Sequence, residues 1–135
     1  MTEIPDVKRK WPHQINRVTI GATSAEGGSR TSTLTVGGET TLPFYHFEGT
    51  MPNAPVVAME IWDIPGEDWP ETVKSPFAEV MSDAGAWAKS CVDDHGAQAI
   101  CLRLQGCDPN GADRSPEQAA AAARAVAEAV GVPLI

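Results

Sequence analysis

The sequence lacks any apolar run long enough to cross a membrane. Its apolar stretches are far shorter than the ~20 residues that a membrane-spanning helix needs. The first residues, MTEIPDVKRKWPHQ, also lack the apolar core of a signal peptide. We therefore expect a cytoplasmic protein.

Basic residues are scarce as well. The 135 residues include 10 Lys and Arg against 18 Asp and Glu, for a net charge of -8. Binding to nucleic acid or to anionic lipid depends on clustered positive charge. The composition therefore argues against both kinds of partner. The one basic cluster, residues 8–10 (KRK), lies in a polar arm over residues 1–15, which is either a solvated tail or a partner contact.

Cysteine is represented only by Cys91, Cys101 and Cys107. No CxxC motif occurs, and no Cys/His pair has the spacing of a structural zinc site. The sequence thus predicts three reduced thiols and no metal site, with Cys107 as the candidate for a functional thiol because it ends a strand. No nucleophile triad can be assembled, so no catalytic residue is predicted.

The apolar stretch QAICLRLQG, residues 98–106, is typical of a buried parallel strand. Helical patterns precede and follow it at 83–95 and 116–130, and further apolar runs lie at 55–63 and 132–135. Strand–helix–strand–helix–strand order indicates an α/β fold with a parallel sheet. Upstream, the alternating segments 16–22 and 32–36 predict a β-hairpin, and the aromatic-rich residues 40–53 predict a covering loop.

The carboxyl ends of the two inner strands form the candidate ligand site, because parallel sheets and barrels bind ligands at that edge. A second prediction concerns Glu60 and Arg103, which alternation places on one face of neighbouring strands. Buried charges need partners, so we expect an ion pair that either fills a packed interior or forms a polar floor beneath a ligand. The predicted ligand-facing positions are Trp62, Asp63, Gln105, Gly106, Cys107, Asp108 and Arg114.

Seven blocks of this sequence, in order, resemble one protein family over residues 18–135. That family is the acetyl-CoA decarbonylase/synthase delta subunit, also called the small subunit of the corrinoid iron–sulfur protein. The blocks are VTIGAT (18–23), TVGGETTLPFYHFEG (35–49), PVVAMEIWD (55–63), EDWPE (67–71), ICLRLQG (100–106), DRSPEQAA (113–120) and GVPLI (131–135).

The resemblance implies a (β/α)8 TIM barrel, of which this chain holds the first βαβαβ portion. The implied domains are an N-terminal arm (1–15), a β-hairpin with an aromatic covering loop (16–53) and a truncated barrel (54–135). The implied role is that of a non-catalytic subunit in the Wood–Ljungdahl system. It supports methyl transfer between a methyl-tetrahydropterin or methyltetrahydrofolate and acetyl-CoA synthase.

The same resemblance implies a corrinoid (cobalamin) that is shared with the large subunit, and no iron–sulfur cluster on this chain. The implied partners are that large subunit, a methyltransferase and acetyl-CoA synthase. The chain departs from the family in length, since a complete barrel needs ~200 residues or more. We therefore expect only the N-terminal part of such a subunit, with an open sheet edge at 132–135.

Two alternatives remain open. One is a stand-alone pterin-binding barrel methyltransferase, in which Asp63 or Asp108 would hold the nitrogens of the pterin. The other is a non-functional truncated product, which would expose apolar surface and aggregate.

Overall fold

A computed structural model describes residues 5–135 of the chain. The described residues fall into two compact units, one made of 5–19 and 35–55 and the other of 20–34 and 56–135. Short 3-10 turns lie at Ser24–Glu26, Ser75–Phe77 and Gln105–Cys107. The strands and helices are β1 (Val18–Ile20), β2 (Leu34–Val36), β3 (Ala58–Trp62), α1 (Glu71–Lys74), α2 (Ala84–Asp93), β4 (Ala99–Arg103) and α3 (Pro116–Ala129).

Strands β3 and β4 pair in parallel, with α2 connecting them in the chain. Residues 133–135 extend this pairing on the other edge of β4. The Ile100 N–H donates to the Pro133 carbonyl (3.0 Å), and the Leu102 N–H donates to the Ile135 carbonyl (2.8 Å). A parallel bridge joins Ile100 to Leu134. The predicted strand–helix–strand–helix–strand order is therefore present, with the last strand reduced to a bridge.

Helices α2 and α3 begin where local capping chemistry predicts. The Asp83 carboxylate accepts a hydrogen bond from the Ala86 N–H (2.9 Å), which caps α2. Ser115 and Gln118 form a reciprocal capping box at the start of α3, with Pro116 at the first helical position. Both helices pack on one face of the β3–β4 sheet. The buried apolar core there is Ile61, Trp87, Ala88, Cys91, Ala97, Ile100, Val126 and Val130.

The predicted ion pair between Glu60 and Arg103 is wrong, because the register of the sheet offsets the two residues. Glu60 lies beside Cys101, and Arg103 lies beside Trp62. Glu60 instead accepts a hydrogen bond from Trp62 Nε1 (2.6 Å), and the Arg103 guanidinium stacks 4.5 Å from the centre of the Trp62 ring. Both charged residues are exposed, so neither needs an ionic partner.

The connection 64–82 between β3 and α2 contains α1 and the 3-10 turn Ser75–Phe77. Among residues 5–135 the strands form two-stranded sheets and no closed barrel, so a partial TIM barrel is not confirmed.

Strands β1 and β2 pair with each other, as expected for residues 16–22 and 32–36. In the second unit, the connection between β1 and β2 is hydrogen-bonded to the end of α3. Arg30 donates from its guanidinium to the carbonyls of Ala127 (2.7 Å) and Val130 (2.8 Å). No helix in the part of the chain that the structure describes is long and apolar enough to span a membrane.

Candidate functional site

A buried carboxylate lies at the carboxyl end of β3. The Asp63 side chain is fully buried, and its Oδ1 accepts a hydrogen bond from the Gly106 N–H (2.9 Å). Its Oδ2 lies 3.3 Å from Nη1 of Arg114, which also donates to the Asp63 carbonyl (3.3 Å). Asp63 therefore ties the end of one strand to the loop that follows the next strand. We call these three residues, Asp63, Gly106 and Arg114, the strand-end node.

Replacing Gly106 by any residue with a side chain would displace neighbouring atoms of the node. A Cβ at this position would lie 2.6 Å from Asp63 Oδ2 and 2.7 Å from Arg114 Cδ. The Gly106 carbonyl also accepts a hydrogen bond from the Arg114 N–H (2.8 Å). The close approach of the carboxylate thus depends on the missing side chain.

Polar groups remain available around the node. Gln105, Cys107 and Asp108 are half-buried. The Gln105 side-chain amide makes no hydrogen bond with any residue from 5 to 135, whereas Asp108 Oδ1 accepts one from the Asn110 N–H (2.8 Å). The edge therefore presents a fixed backbone turn with amide and carboxylate groups that can still bind a ligand.

Trp62 lies apart from the node because successive residues of a strand point to opposite faces. Its ring meets the Trp69 ring in a T-shaped arrangement, with ring centres 4.6 Å apart, and the Arg103 guanidinium lies over the Trp62 ring. Of the seven predicted positions, the structure thus joins Asp63, Gly106 and Arg114 by direct contacts. It places Gln105, Cys107 and Asp108 in the adjoining turn and Trp62 on the other face.

Sequence reasoning missed the pairing of Asp63 with Arg114 and the stacking of Arg103 on Trp62. The available signal for the pair was an acidic residue directly after one strand and a basic residue directly before the cap of the following helix. The described residues contain no cluster of three metal-binding side chains. All three cysteines are free, and burial raises the pKa of the Cys91 thiol.

Comparison with known proteins gives a consistent set of relatives. Residues 17–135 match the family model described as CO dehydrogenase/acetyl-CoA synthase delta subunit. The delta subunit of the acetyl-CoA decarbonylase/synthase complex from Methanocaldococcus jannaschii is 38% identical over 126 residues, which are 93% of this chain and 30% of that protein. Delta subunit 1 from Methanosarcina thermophila is 39% identical over 125 residues, covering 93% and 28%. The delta subunit from Methanopyrus kandleri is 31% identical over 121 residues, covering 90% and 30%. The chain spans less than a third of the length of these relatives.

Proposed function

The chain belongs to the family of CO dehydrogenase/acetyl-CoA synthase delta subunits, and from this premise we propose that it acts as a non-catalytic subunit in methyl transfer. The methyl group would pass between a methyl-tetrahydropterin or methyltetrahydrofolate and acetyl-CoA synthase, by way of a corrinoid. In this proposal a larger partner subunit carries the corrinoid. The strand ends of this chain form one part of the wall around it.

The observation that supports this proposal most directly is the strand-end node. Asp63 is fully buried and holds the turn at Gly106 in place, while Gln105 and Asp108 keep polar groups at the edge. Fixed backbone with a few available polar groups is what a binding site needs to orient a ligand. The strand ends are therefore suited to binding and orienting a ligand rather than to catalysis.

The residues present fit the edge of a corrinoid. Its macrocycle carries amide groups around the rim, which require both hydrogen-bond donors and acceptors. Gln105 offers both, and Asp108 offers an acceptor. When bound, the corrinoid would supply the cobalt that accepts and donates the methyl group. This chain would bind and orient the rim through Gln105 and Asp108.

The competing candidate is a pterin-binding methyltransferase, and the structure weakens one of its two possible contacts. Both oxygens of Asp63 are already engaged, by Gly106 and by Arg114, and the side chain is fully buried. A pterin nitrogen could reach it only by displacing these partners, which leaves a buried donor unsatisfied. Asp108 is then the acidic group that this alternative would have to use.

The test is co-purification with a corrinoid. We would add the tagged chain to the other purified subunits of an acetyl-CoA decarbonylase/synthase complex and measure bound cobalt and the corrinoid absorption spectrum. We expect corrinoid to co-purify with the chain and binding to weaken about tenfold in a Gln105→Ala, Asp108→Asn variant, the scale of one or two lost hydrogen bonds. Asp108→Asn keeps the oxygen that accepts from Asn110.

The control is Gln98→Ala, which removes a side chain of the same type, here exposed, next to the opposite end of β4. It should leave corrinoid recovery unchanged. Binding of methyltetrahydrofolate by the isolated chain, without any corrinoid partner, would instead support the methyltransferase. Failure to recover either corrinoid or a partner subunit would overturn the proposal and favour a non-functional product.

A further inference from the structure

The first unit exposes an unusual amount of aromatic surface. Phe44 is 90% exposed, Phe47 55% and Tyr45 47%, and Leu42 and Trp11 are 52% and 41% exposed. Proteins that act alone rarely expose contiguous apolar patches, and patches rimmed by polar residues mark interaction sites. We call these five residues, together with the basic residues 8–10, the arm–loop surface.

The arm–loop surface is held together by Glu48. Its Oε1 accepts a hydrogen bond from the Arg9 N–H (3.1 Å), and its Oε2 accepts one from Trp11 Nε1 (3.2 Å). The loop is closed on itself as well, since the Thr41 hydroxyl donates to the Tyr45 carbonyl (2.8 Å). The aromatic side chains are therefore presented on a supported backbone rather than on a loose tail.

Two cavities open beside Trp11 and Leu42. One has a volume of about 100 Å³ and is lined by residues that include Trp11, His13 and Ile15. The other has a volume of about 250 Å³ and is lined by Arg9, Trp11, Leu42, Tyr45 and Glu48. The first cavity has mostly apolar walls, whereas the second is lined by the charged Arg9 and Glu48 as well as by apolar residues. Cavities of this size suit single side chains of a partner protein.

The backbone at Phe44 gives independent support. Its φ of 71° lies in the left-handed region, which bulky residues rarely adopt. With a side chain that is 90% exposed, Phe44 gains little packing that would offset this strain within the unit. Strained residues persist where function requires them, so the position of this ring points to a contact outside the chain.

Charge is distributed unevenly between the two units. Within residues 5–135, the first unit carries four basic and three acidic residues, for a net charge of +1, whereas the second carries six basic and fourteen acidic residues, for a net charge of -8. Lys8, Arg9 and Lys10 are exposed and form no ion pair with any residue from 5 to 135. The arm–loop surface thus combines two cavities that have apolar residues in their walls with the exposed positive side chains of residues 8–10.

We propose that the arm–loop surface docks an acidic protein partner whose apolar side chains enter these two cavities. The partner is another subunit of the complex in which this family works, so this inference rests on the proposed function. A second copy of this chain would bind this surface through a different patch of its own. Such head-to-tail contacts build open filaments unless the rotation between copies closes a ring. A second copy and an anionic lipid surface are the other occupants that the experiment tests.

The experiment measures binding of the chain to each of the other purified complex subunits, immobilised separately, as a function of salt. We expect one subunit to bind, with Phe44→Gly and Phe47→Ala each weakening the affinity about tenfold or more, as for anchor residues of interfaces. Phe44→Gly also relieves the backbone strain, so a loss of binding by this variant cannot be attributed to failure to fold. A photoreactive phenylalanine analogue at position 44 should cross-link next to acidic residues of the same subunit.

Charge reversal tests the electrostatic part. The triple variant Lys8→Glu, Arg9→Glu, Lys10→Glu should slow association about tenfold at low salt and remove its salt dependence. The matched control reverses three basic residues of the second unit, Lys74, Lys89 and Arg124, and should bind as the wild type does.

Three outcomes would overturn the inference. The first is equal binding by the aromatic variants, the charge variants and the wild type. The second is self-association of the chain that these variants abolish, which would identify a second copy as the occupant. The third is variant-sensitive binding to vesicles of phosphatidylcholine and phosphatidylserine. If no complex subunit binds even the wild type, the proposed function fails; if one binds but the variants bind equally, only the docking inference fails.

Discussion

Replacing Asp63 with alanine should destabilise the chain more than any other single carboxylate removal. The substitution removes the acceptor of the Gly106 N–H and the ionic partner of Arg114. A buried donor left unsatisfied costs about 1–3 kcal/mol. The Arg114 side chain is 36% exposed, so water can solvate its charge, and the loss of the ion pair adds about 1 kcal/mol or less.

The expected loss is therefore about 1–4 kcal/mol, compared with the 5–15 kcal/mol typical of a domain. Asp63→Asn should cost less, about 1–2 kcal/mol, because the amide oxygen can still accept from Gly106 while the charge is lost. Arg114→Ala should be costlier than loss of a surface ion pair, because it leaves a charge in a fully buried side chain without its partner.

The assay is urea unfolding, followed by tryptophan fluorescence and far-UV circular dichroism. With a slope of about 2 kcal/mol per molar urea, Asp63→Ala should lower the midpoint by about 0.5–2 M. Asp68→Ala is the matched control, because Asp68 is an exposed carboxylate in the loop after β3 and should shift the midpoint very little. A midpoint for Asp63→Ala that matches the Asp68 control would refute the assignment of the node as a structural anchor.

Three further predictions follow from other contacts. Arg30→Met removes two hydrogen bonds to carbonyls at the end of α3 and should lower the free energy of unfolding in urea by about 1–3 kcal/mol. Arg124→Met, which replaces an exposed residue of α3, should lower it very little. Alkylation at pH 8 followed by mass spectrometry should modify the other two cysteines of the native chain but Cys91 only after unfolding, because burial raises its pKa and blocks access. Hydrogen bonds from Thr23 lower the pKa of Glu26 below its ordinary 4.5, so its stabilisation is present above that pH and is lost as the pH falls through the lowered value. Between pH 6 and pH 3, the urea midpoint of a Glu26→Gln variant should fall less than that of the wild type. An equal fall in both proteins would contradict the stabilising role of the Glu26 carboxylate.

Local chemistry made the helices predictable. The patterns indicated helices at 83–95 and 116–130, and the structure has Ala84–Asp93 and Pro116–Ala129. The starts agree because a cap is a contact between residues three apart, as between Ser115 and Gln118. The small helix Glu71–Lys74 escaped prediction because its four residues are too few to establish a period.

Sheet register was not predictable from the same information. Alternation placed Glu60 and Arg103 correctly on one face, but it carries no information about which residues lie side by side. The pairing of Glu60 with Cys101 moves the Arg103 guanidinium onto the Trp62 ring instead. The contact of Asp63 with Arg114 is likewise set by the register of β3 against β4 and by the shape of the turn, both of which depend on residues distant in sequence.

The two acidic residues at the strand ends, Asp63 and Asp108, have different roles, and the contacts of each limit what it can bind. Asp63 is fully buried with both oxygens engaged, so any ligand that used it would have to break the contacts that fix the turn. Asp108 retains unoccupied acceptor capacity, and its hydrogen bond to the Asn110 N–H holds its own orientation. A wall that orients a large cofactor benefits from this division, because the residues that set the shape do not move when the ligand arrives. A catalytic acid or base would instead need a carboxylate that reaches the substrate, and only the Asp108 side of the edge offers that reach.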